Sequence, residues 1–236
     1  MDVKQVAIVH YNTPELTEAG ILSLRKHGGA EWPVTIFDNS DRKPFYAGQG
    51  SALTNTEIID NTRGQVIDWP TFLGQFTRRE WSDNNYGSAK HCYSVQWLMD
   101  HLDTPFILMD SDVLISQDIT PLWDETKAWV GKVGCNTRRR FGFEVFRLEP
   151  FLCFLNTPMI KAHGVRYFNP KRMWCLVDQP PYNRYDTGAW FLEDCNRRAL
   201  PHREFDVTTA CVHFRHASWK KKDATAWLKQ HENLWK

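Results

Sequence analysis

The chain has 236 residues, 42% of them hydrophobic and 24% charged, with a formal net charge of +1. This length supports one large domain with a substantial core, and the composition excludes wholesale disorder. The near balance of charge excludes a global field drawing the protein to nucleic acid, so no nucleic-acid partner is expected.

The 11 Trp and 14 Phe are many for this length; aromatic faces serve cores, but they also suit sugar rings and bases. The six cysteines (Cys92, Cys135, Cys153, Cys175, Cys195 and Cys211) are scattered, with no C-x-x-C pair. A chain this long does not need disulfides, so reduced thiols in a cytoplasmic protein are expected. MDVKQVAIVHYN reads as the approach to a strand and not as a secretory signal, and no apolar run reaches the length of a membrane span.

In chain order, Val6-Ala7-Ile8-Val9 is a continuous apolar run, the pattern of a buried parallel strand. Thr13-Pro14-Glu15 then opens a helix: Thr13 as cap, Pro14 in the first position, Glu15 at the positive end. The helix is expected to end near Lys26, before Gly28-Gly29. Val34-Thr35-Ile36-Phe37 is the next strand and ends in Asp38-Asn39-Ser40-Asp41. The β-α-β unit points its strand ends at one edge, where such folds bind ligands. Between residues 42 and 80 the pattern weakens, and only short strands at 57–59 and 65–67 are expected.

A helix from Ser88 places Ala89, Cys92, Val95, Met99 and Leu102 on one face. Pro105-Phe106-Ile107-Leu108-Met109 is a buried strand running straight into Asp110-Ser111-Asp112. Further strands are expected at 129–133, 142–148, 151–155 and 207–214. One more helix would start at Asp186-Thr187-Gly188 and run to Arg198, with Asp186 as its cap. A last one would run from Asp223 to Leu234, with Ala224, Trp227, Leu228, His231 and Trp235 sharing a side.

Asp110-Ser111-Asp112 is the strongest chemical signal. Two carboxylates one residue apart, at the mouth of an apolar strand, cannot both enter the core. They can meet a divalent cation such as Mn²⁺ or Mg²⁺, which prefers oxygen ligands and bridges them to a diphosphate. A polar turn after a strand is the plainer alternative.

The series VAIVHYNTPELTEAGILSL, VTIFDNSD and NNYGSAKHCYSVQWLMDHLDTPFILMDSDVLI resembles the nucleotide-binding half of GT-A-fold glycosyltransferases, especially family 2. The resemblance covers roughly the first half of the chain and is absent between residues 42 and 80. It implies an α/β fold of three layers, with a mostly parallel central sheet and a small antiparallel portion on the acceptor side. It implies one domain over 1–236, with 1–115 binding nucleotide and 116–236 binding acceptor. By resemblance, Tyr11 and Asn12 lie near the nucleotide, Asp38 at its base, Asn85 and Gly87 near the donor, and Asp110, Ser111 and Asp112 at ribose and metal. Each has a bland competitor: Asp38 as a turn cap, Tyr11 as a rim aromatic, Asn85-Tyr86-Gly87 as an ordinary turn.

In the second half, Phe151-Leu152-Cys153-Phe154-Leu155-Asn156-Thr157-Pro158-Met159 resembles the acceptor-side strand and turn of such enzymes. The general base of family 2 commonly belongs to a Glu-Asp pair, which Glu193-Asp194 supplies. Those residues lie two turns into the expected helix, so Asp186, at its start, is the first candidate and Asp194 the second. His213 to Ser218 resembles the late His that completes many metal sites of this fold, with His216 as rival. Arg215 with Lys220, Lys221 and Lys222, or Arg138-Arg139-Arg140, would offset diphosphate or acceptor charge, or form a solvated surface.

The expected function is transfer of a sugar from a nucleotide-diphosphate donor, by family habit a UDP-sugar, to a glycan, lipid-linked or other hydroxyl acceptor. Inversion at the anomeric carbon follows from the resemblance; a retaining enzyme of the same fold and a non-catalytic sugar- or nucleotide-binding module are the alternatives.

Overall fold

A computed structural model of the chain describes residues 4–45, 53–75, 86–138, 143–173, 185–214 and 223–236. Strand β1, Val6–His10, is buried at every position, as its unbroken apolar run requires. Its side chains alternate. Val6 and Ile8 pack with Ile21 and Leu24 of helix α1, Pro14–His27, on one face of the sheet. Ala7 and Val9 pack with Ala89, Val95 and Met99 of helix α3, Gly87–Leu102, on the other. Between α1 and α3 come β2, Val34–Asp38, β3, Thr56–Asp60, and the short helix α2, Trp69–Gly74.

After α3 the chain forms β4, Phe106–Asp110, β5, Val113–Ile115, β6, Trp129–Arg138, and β7, Phe143–Leu155. Helices α4, Thr157–Ala162, and α5, Ala189–Arg197, precede β8, His202–Glu204, and β9, Cys211–His213. Helices α6, Thr225–Gln230, and α7, Glu232–Trp235, follow. Seven strands form one sheet in the order β3-β2-β1-β4-β7-β6-β8. Neighbours are parallel except where β7 meets β4 and β6, so β7 alone runs against the rest. Strands β5 and β9 form a separate antiparallel pair. The expected three-layer, mostly parallel architecture is present, and the ends of β1, β2 and β4 (His10, Asp38 and Asp110) meet at one edge.

Helix α1 lies close over β5. A Cβ on Gly20 would stand 2.7 Å from the Val113 carbonyl oxygen, so only glycine lets the two backbones approach this far. Beside it, Ser23 Oγ accepts the Ile115 amide at 2.8 Å. This contact seats β5, and through β5 it positions β9.

Several expected elements take another form. Residues 65–67 are a turn, because Asn61 Oδ1 accepts the Val66 and Ile67 amides at 3.0 and 2.7 Å and leaves neither for a sheet. Helix α2 is absent from the expected elements, although Asp68 accepts the Thr71 amide at its start and Pro70 sits in its first turn. The two strands expected on either side of Pro150 are one, β7. Its pairing with β6 shifts register between Gly131 and Val133, and that irregularity absorbs the proline's missing N–H. Only 211–213 of the expected strand 207–214 are extended, since Val207–Thr209 form a 3-10 turn capped by Asp206. The last helix is interrupted at His231.

No disulfide joins the described cysteines Cys92, Cys135, Cys153, Cys195 and Cys211 to one another; Cys175 lies outside the described residues. Among the described residues no helix is long and apolar enough to cross a membrane.

Candidate metal and donor site

Strand β4 ends in Asp110, and the turn after it carries Asp112 back toward β5. Because Val113 pairs with His213, strand β9 sets its last residue beside Asp112. His213 Nε2 lies 3.0 Å from Asp112 Oδ1, and the Phe214 amide donates to the Asp112 carbonyl at 2.9 Å. The imidazole also lies over the Phe151 ring, centroids 4.8 Å apart, which fixes its plane. One ligand atom from each of Asp110, Asp112 and His213 fits within 4.8 Å of the others. Two carboxylate oxygens and one imidazole nitrogen, partly shielded from water, form a donor set suited to Mn²⁺ or Mg²⁺. His216, Arg215, Lys220, Lys221 and Lys222 lie outside the described residues, as do Arg139 and Arg140.

Burial works against the charge of Asp110. The His91 hydrogen bond, with the nearby charges of His91, His213 and Arg147, outweighs it and holds the carboxyl below its usual range. His91 Nε2 lies 3.1 Å from Asp110 Oδ1. Neither His91 nor Arg147 stands out in the sequence. The available signal is positional: the first turns of a helix that precedes a parallel strand face that strand's C-terminal end, and Ser88 and His91 occupy them.

Asp186 joins this group from the segment just before α5. Its Oδ1 accepts the Ser88 hydroxyl and the Thr187 amide, each at 2.8 Å, and its Oδ2 lies 3.5 Å from Arg147 Nη1. Arg147 also reaches Glu149 at 2.9 Å. Burial disfavours the guanidinium charge, yet Glu149 and Asp186 outweigh it and raise its pKa. Asp186 does not cap α5, contrary to what its sequence position suggests. The helix starts at Ala189 behind Gly188, whose φ of 76° turns the chain, and this leaves the Asp186 side chain facing Ser88 and Arg147.

Asp194 is elsewhere. Helix α5 starts beside Leu148, where the Leu148 amide meets the Gly188 carbonyl, and ends where Arg198 Nη1 donates to the His163 carbonyl. That path leads away from β4's C-terminal edge. Asp194 is 4% exposed, and its Oδ1 is shared by Arg197 and Arg198 of the same helix.

At the end of β2, Asp38 is 1% exposed, and its two oxygens accept the Ser40 and Phe45 amides at 2.8 and 2.7 Å. These bonds tie the loop after β2. The exposed acid of that cluster is Asp41, which accepts the Tyr11 hydroxyl at 3.0 Å and Asn12 Nδ2 at 2.6 Å. Burial opposes its charge, but these hydrogen bonds outweigh that and lower its pKa. Asn12 adopts φ 58°, and its Oδ1 accepts the Arg42 and Lys43 amides, so it organises the same loop. Ser111 bonds with Thr13 at 2.9 Å and so faces α1. Gly87 opens α3 with open space where a side chain would stand, and Asn85 lies outside the described residues.

No family model matches the chain, and no curated protein matches it. Solved structures do. Core-mannan synthase A from Aspergillus fumigatus, in its Mn/GDP form, is 8% identical with a TM-score of 0.54; the match covers 87% of this chain and 73% of that one. The galactosyltransferase LgtC, in complex with donor and acceptor sugar analogs, is 10% identical with a TM-score of 0.51, over 86% of this chain and 73% of that one. At such identities the likeness concerns the fold, and the fold is GT-A.

Proposed function

We propose that the chain is a metal-dependent glycosyltransferase that moves a sugar from a nucleoside diphosphate donor, a UDP-sugar by preference, to a hydroxyl of a glycan, lipid-linked or other acceptor. The observation that carries this reading is the convergence of Asp110, Asp112 and His213 at the C-terminal edge of a GT-A sheet. The whole chain acts as one domain, with 1–115 binding the donor and 116–236 the acceptor. The reading is supported by two structures of the same fold, LgtC in complex with donor and acceptor sugar analogs and the synthase in its Mn/GDP form.

Asp110, Asp112 and His213 would hold the divalent cation, which supplies Lewis-acid stabilisation to the leaving diphosphate when bound. Tyr11, Asn12 and Asp41 form the rim that meets the nucleoside. Asp41 stands in for Asp38 here, because both Asp38 oxygens already serve backbone amides. Asp186 acts as the general base of an inverting transfer. Ser88 and Thr187 donate to its Oδ1 and Arg147 lies beside its Oδ2, so the carboxylate is held in one orientation from which it would take a proton from the acceptor hydroxyl.

A thermal-shift series with UDP- and GDP-sugars, each with and without Mn²⁺, tests the reading, because a ligand of the native state raises the melting temperature. A metal-dependent shift with a UDP-sugar is expected. Failure of every nucleotide sugar to shift the protein would overturn it. NMR of the first product then reads the anomeric configuration, and retention would remove Asp186 from the role of base.

A further inference from the structure

Each carboxylate of Asp110-Ser111-Asp112 faces a histidine, and the two histidines are not equivalent. His213 offers its nitrogen to the same small space as both carboxylates. His91 does not belong to that set; its Nε2 addresses Asp110 Oδ1 alone, at 3.1 Å. The ring comes from the second turn of α3, a helix buried along Ala89, Cys92, Val95 and Met99, so its mounting is rigid. Its other nitrogen, Nδ1, is buried with no hydrogen-bond partner among the described residues. Among the described residues, the Asp110 contact is therefore the hydrogen bond by which this ring repays its partial burial.

An ionised carboxylate only accepts hydrogen bonds, so His91 Nε2 carries the proton in this contact. With Oδ1 engaged, rotation of the Asp110 carboxylate about its χ2 is restrained, and its orientation toward Asp112 and His213 is set before any cation arrives. A ligand oriented in advance loses less freedom on binding.

We propose that His91 is a positioning residue for the metal site: its Nε2–H holds Asp110 in the orientation that, with Asp112 and His213, binds the divalent cation. The inference rests on the metal-site reading above, and it predicts a defect in cation affinity that is separable from folding and from chemistry.

The test is titration of the purified full-length protein with Mn²⁺ alone, followed by the electron paramagnetic resonance signal of the free ion. Gln at position 91 can place an amide N–H near the position of Nε2, whereas Ala and Phe cannot. Wild type should bind, Asp112→Asn should not, and His91→Ala and His91→Phe should bind about 10–100-fold more weakly, the range for loss of an outer partner of a metal ligand. His91→Gln should recover most of that loss. The melting temperature without metal should separate the variants far less than the affinity does, and bound Mn²⁺ should show the same nitrogen coupling in wild type and His91→Ala.

Failure of wild type to bind Mn²⁺ would sink the metal-site reading and this inference together. Wild-type affinity in both His91→Ala and His91→Phe would overturn the inference alone, and so would a His91→Gln variant as weak as His91→Ala. A nitrogen coupling lost in His91→Ala would also overturn it, by making His91 a ligand. If His91→Ala does not fold, the Phe and Gln variants carry the comparison.

Discussion

His213 and Asp112 are joined twice across 101 positions of sequence: the imidazole meets the carboxylate at 3.0 Å, and the amide after His213 donates to the Asp112 carbonyl at 2.9 Å. The second bond holds backbone to backbone, so it should outlast loss of the carboxylate charge. Asp112→Asn is expected to keep the fold and to lower Mn²⁺-dependent donor binding by more than about a hundredfold, beyond the effect of losing an outer partner. Calorimetric titration of UDP with and without Mn²⁺ checks this, and undiminished metal-dependent affinity would refute the site.

The two acids of the loop after β2 should separate cleanly by phenotype. Asp38→Ala strands the Ser40 and Phe45 amides, and a hydrogen bond to a charged group is worth about 1.5–3 kcal/mol. That loss is expected in stability, read by urea denaturation. Asp41→Ala, at the exposed rim, should instead weaken nucleotide binding by a similar amount with little change in stability. The reverse pattern would return base recognition to Asp38.

Strands β1, β2 and β4 and helices α1 and α3 are legible in the sequence because each is long and its apolar pattern matches its burial. Asp110 and Asp112 are legible because charge at the end of an apolar strand is anomalous locally. His91, Arg147 and Asp41 are not, since each acquires meaning only from a partner distant in sequence: His91 with Asp110, Arg147 with Asp186, Asp41 with Tyr11. The start of α5 is misleading in sequence because Asp186 looks like a cap, whereas the turn is made by Gly188. The single strand through Pro150 looks like two because a register shift in β6–β7 is invisible without the partner strand.

Gly188 should be intolerant of a side chain. Its φ is 76°, and a Cβ there would stand 2.2 Å from the Leu148 carbonyl oxygen. Gly188→Ala is expected to cost about 2 kcal/mol or more, from left-handed strain plus overpacking. Because Asp186 lies two residues before, transfer should fall as well, while Mn²⁺ affinity stays near wild type. Wild-type stability in the variant would refute the geometry of this turn.

The pH dependence of stability should report on His10. Its ring is fully buried, with Nδ1 at 2.8 Å from Thr17 Oγ1 and Nε2 at 4.0 Å from Asp38 and 3.5 Å from the Lys43 carbonyl. Burial lowers its pKa from 6.5 despite the opposing charges of Asp38 and Glu15. Below 6.5 the unfolded chain therefore binds the proton more readily than the native one. Stability from this group is present above that value and is lost as pH falls through the lower native pKa, with a slope of at most about 1.4 kcal/mol per pH unit. His10→Asn keeps a partner for Thr17 but does not titrate there, so its stability should decline less between about pH 7 and pH 5. Parallel denaturation curves across that range would refute the assignment.

The proposal of Asp186 over Asp194 as general base rests on where the two carboxylates point. Asp186 is held by Ser88 and Thr187 beside Arg147, and Arg147 in turn contributes to the field at Asp110, so the acid stands close to the candidate metal site. Asp194 is buried on α5 and occupied by Arg197 and Arg198. Asp186→Asn keeps the shape and one oxygen to accept from Ser88 or Thr187, but it cannot take a proton. Transfer should fall by roughly a hundredfold or more in kcat, the usual contribution of a general base, with donor affinity little changed. Asp194→Asn removes the charge that two arginines share. Its expected effect is on stability, because a partly buried ion pair loses one member, while kcat per folded molecule stays close to wild type. Measuring kcat, donor affinity and melting temperature for both variants side by side separates the two roles. A dead Asp194→Asn beside a nearly normal Asp186→Asn would place the base on α5, and α5 would then have to move toward the acceptor before transfer.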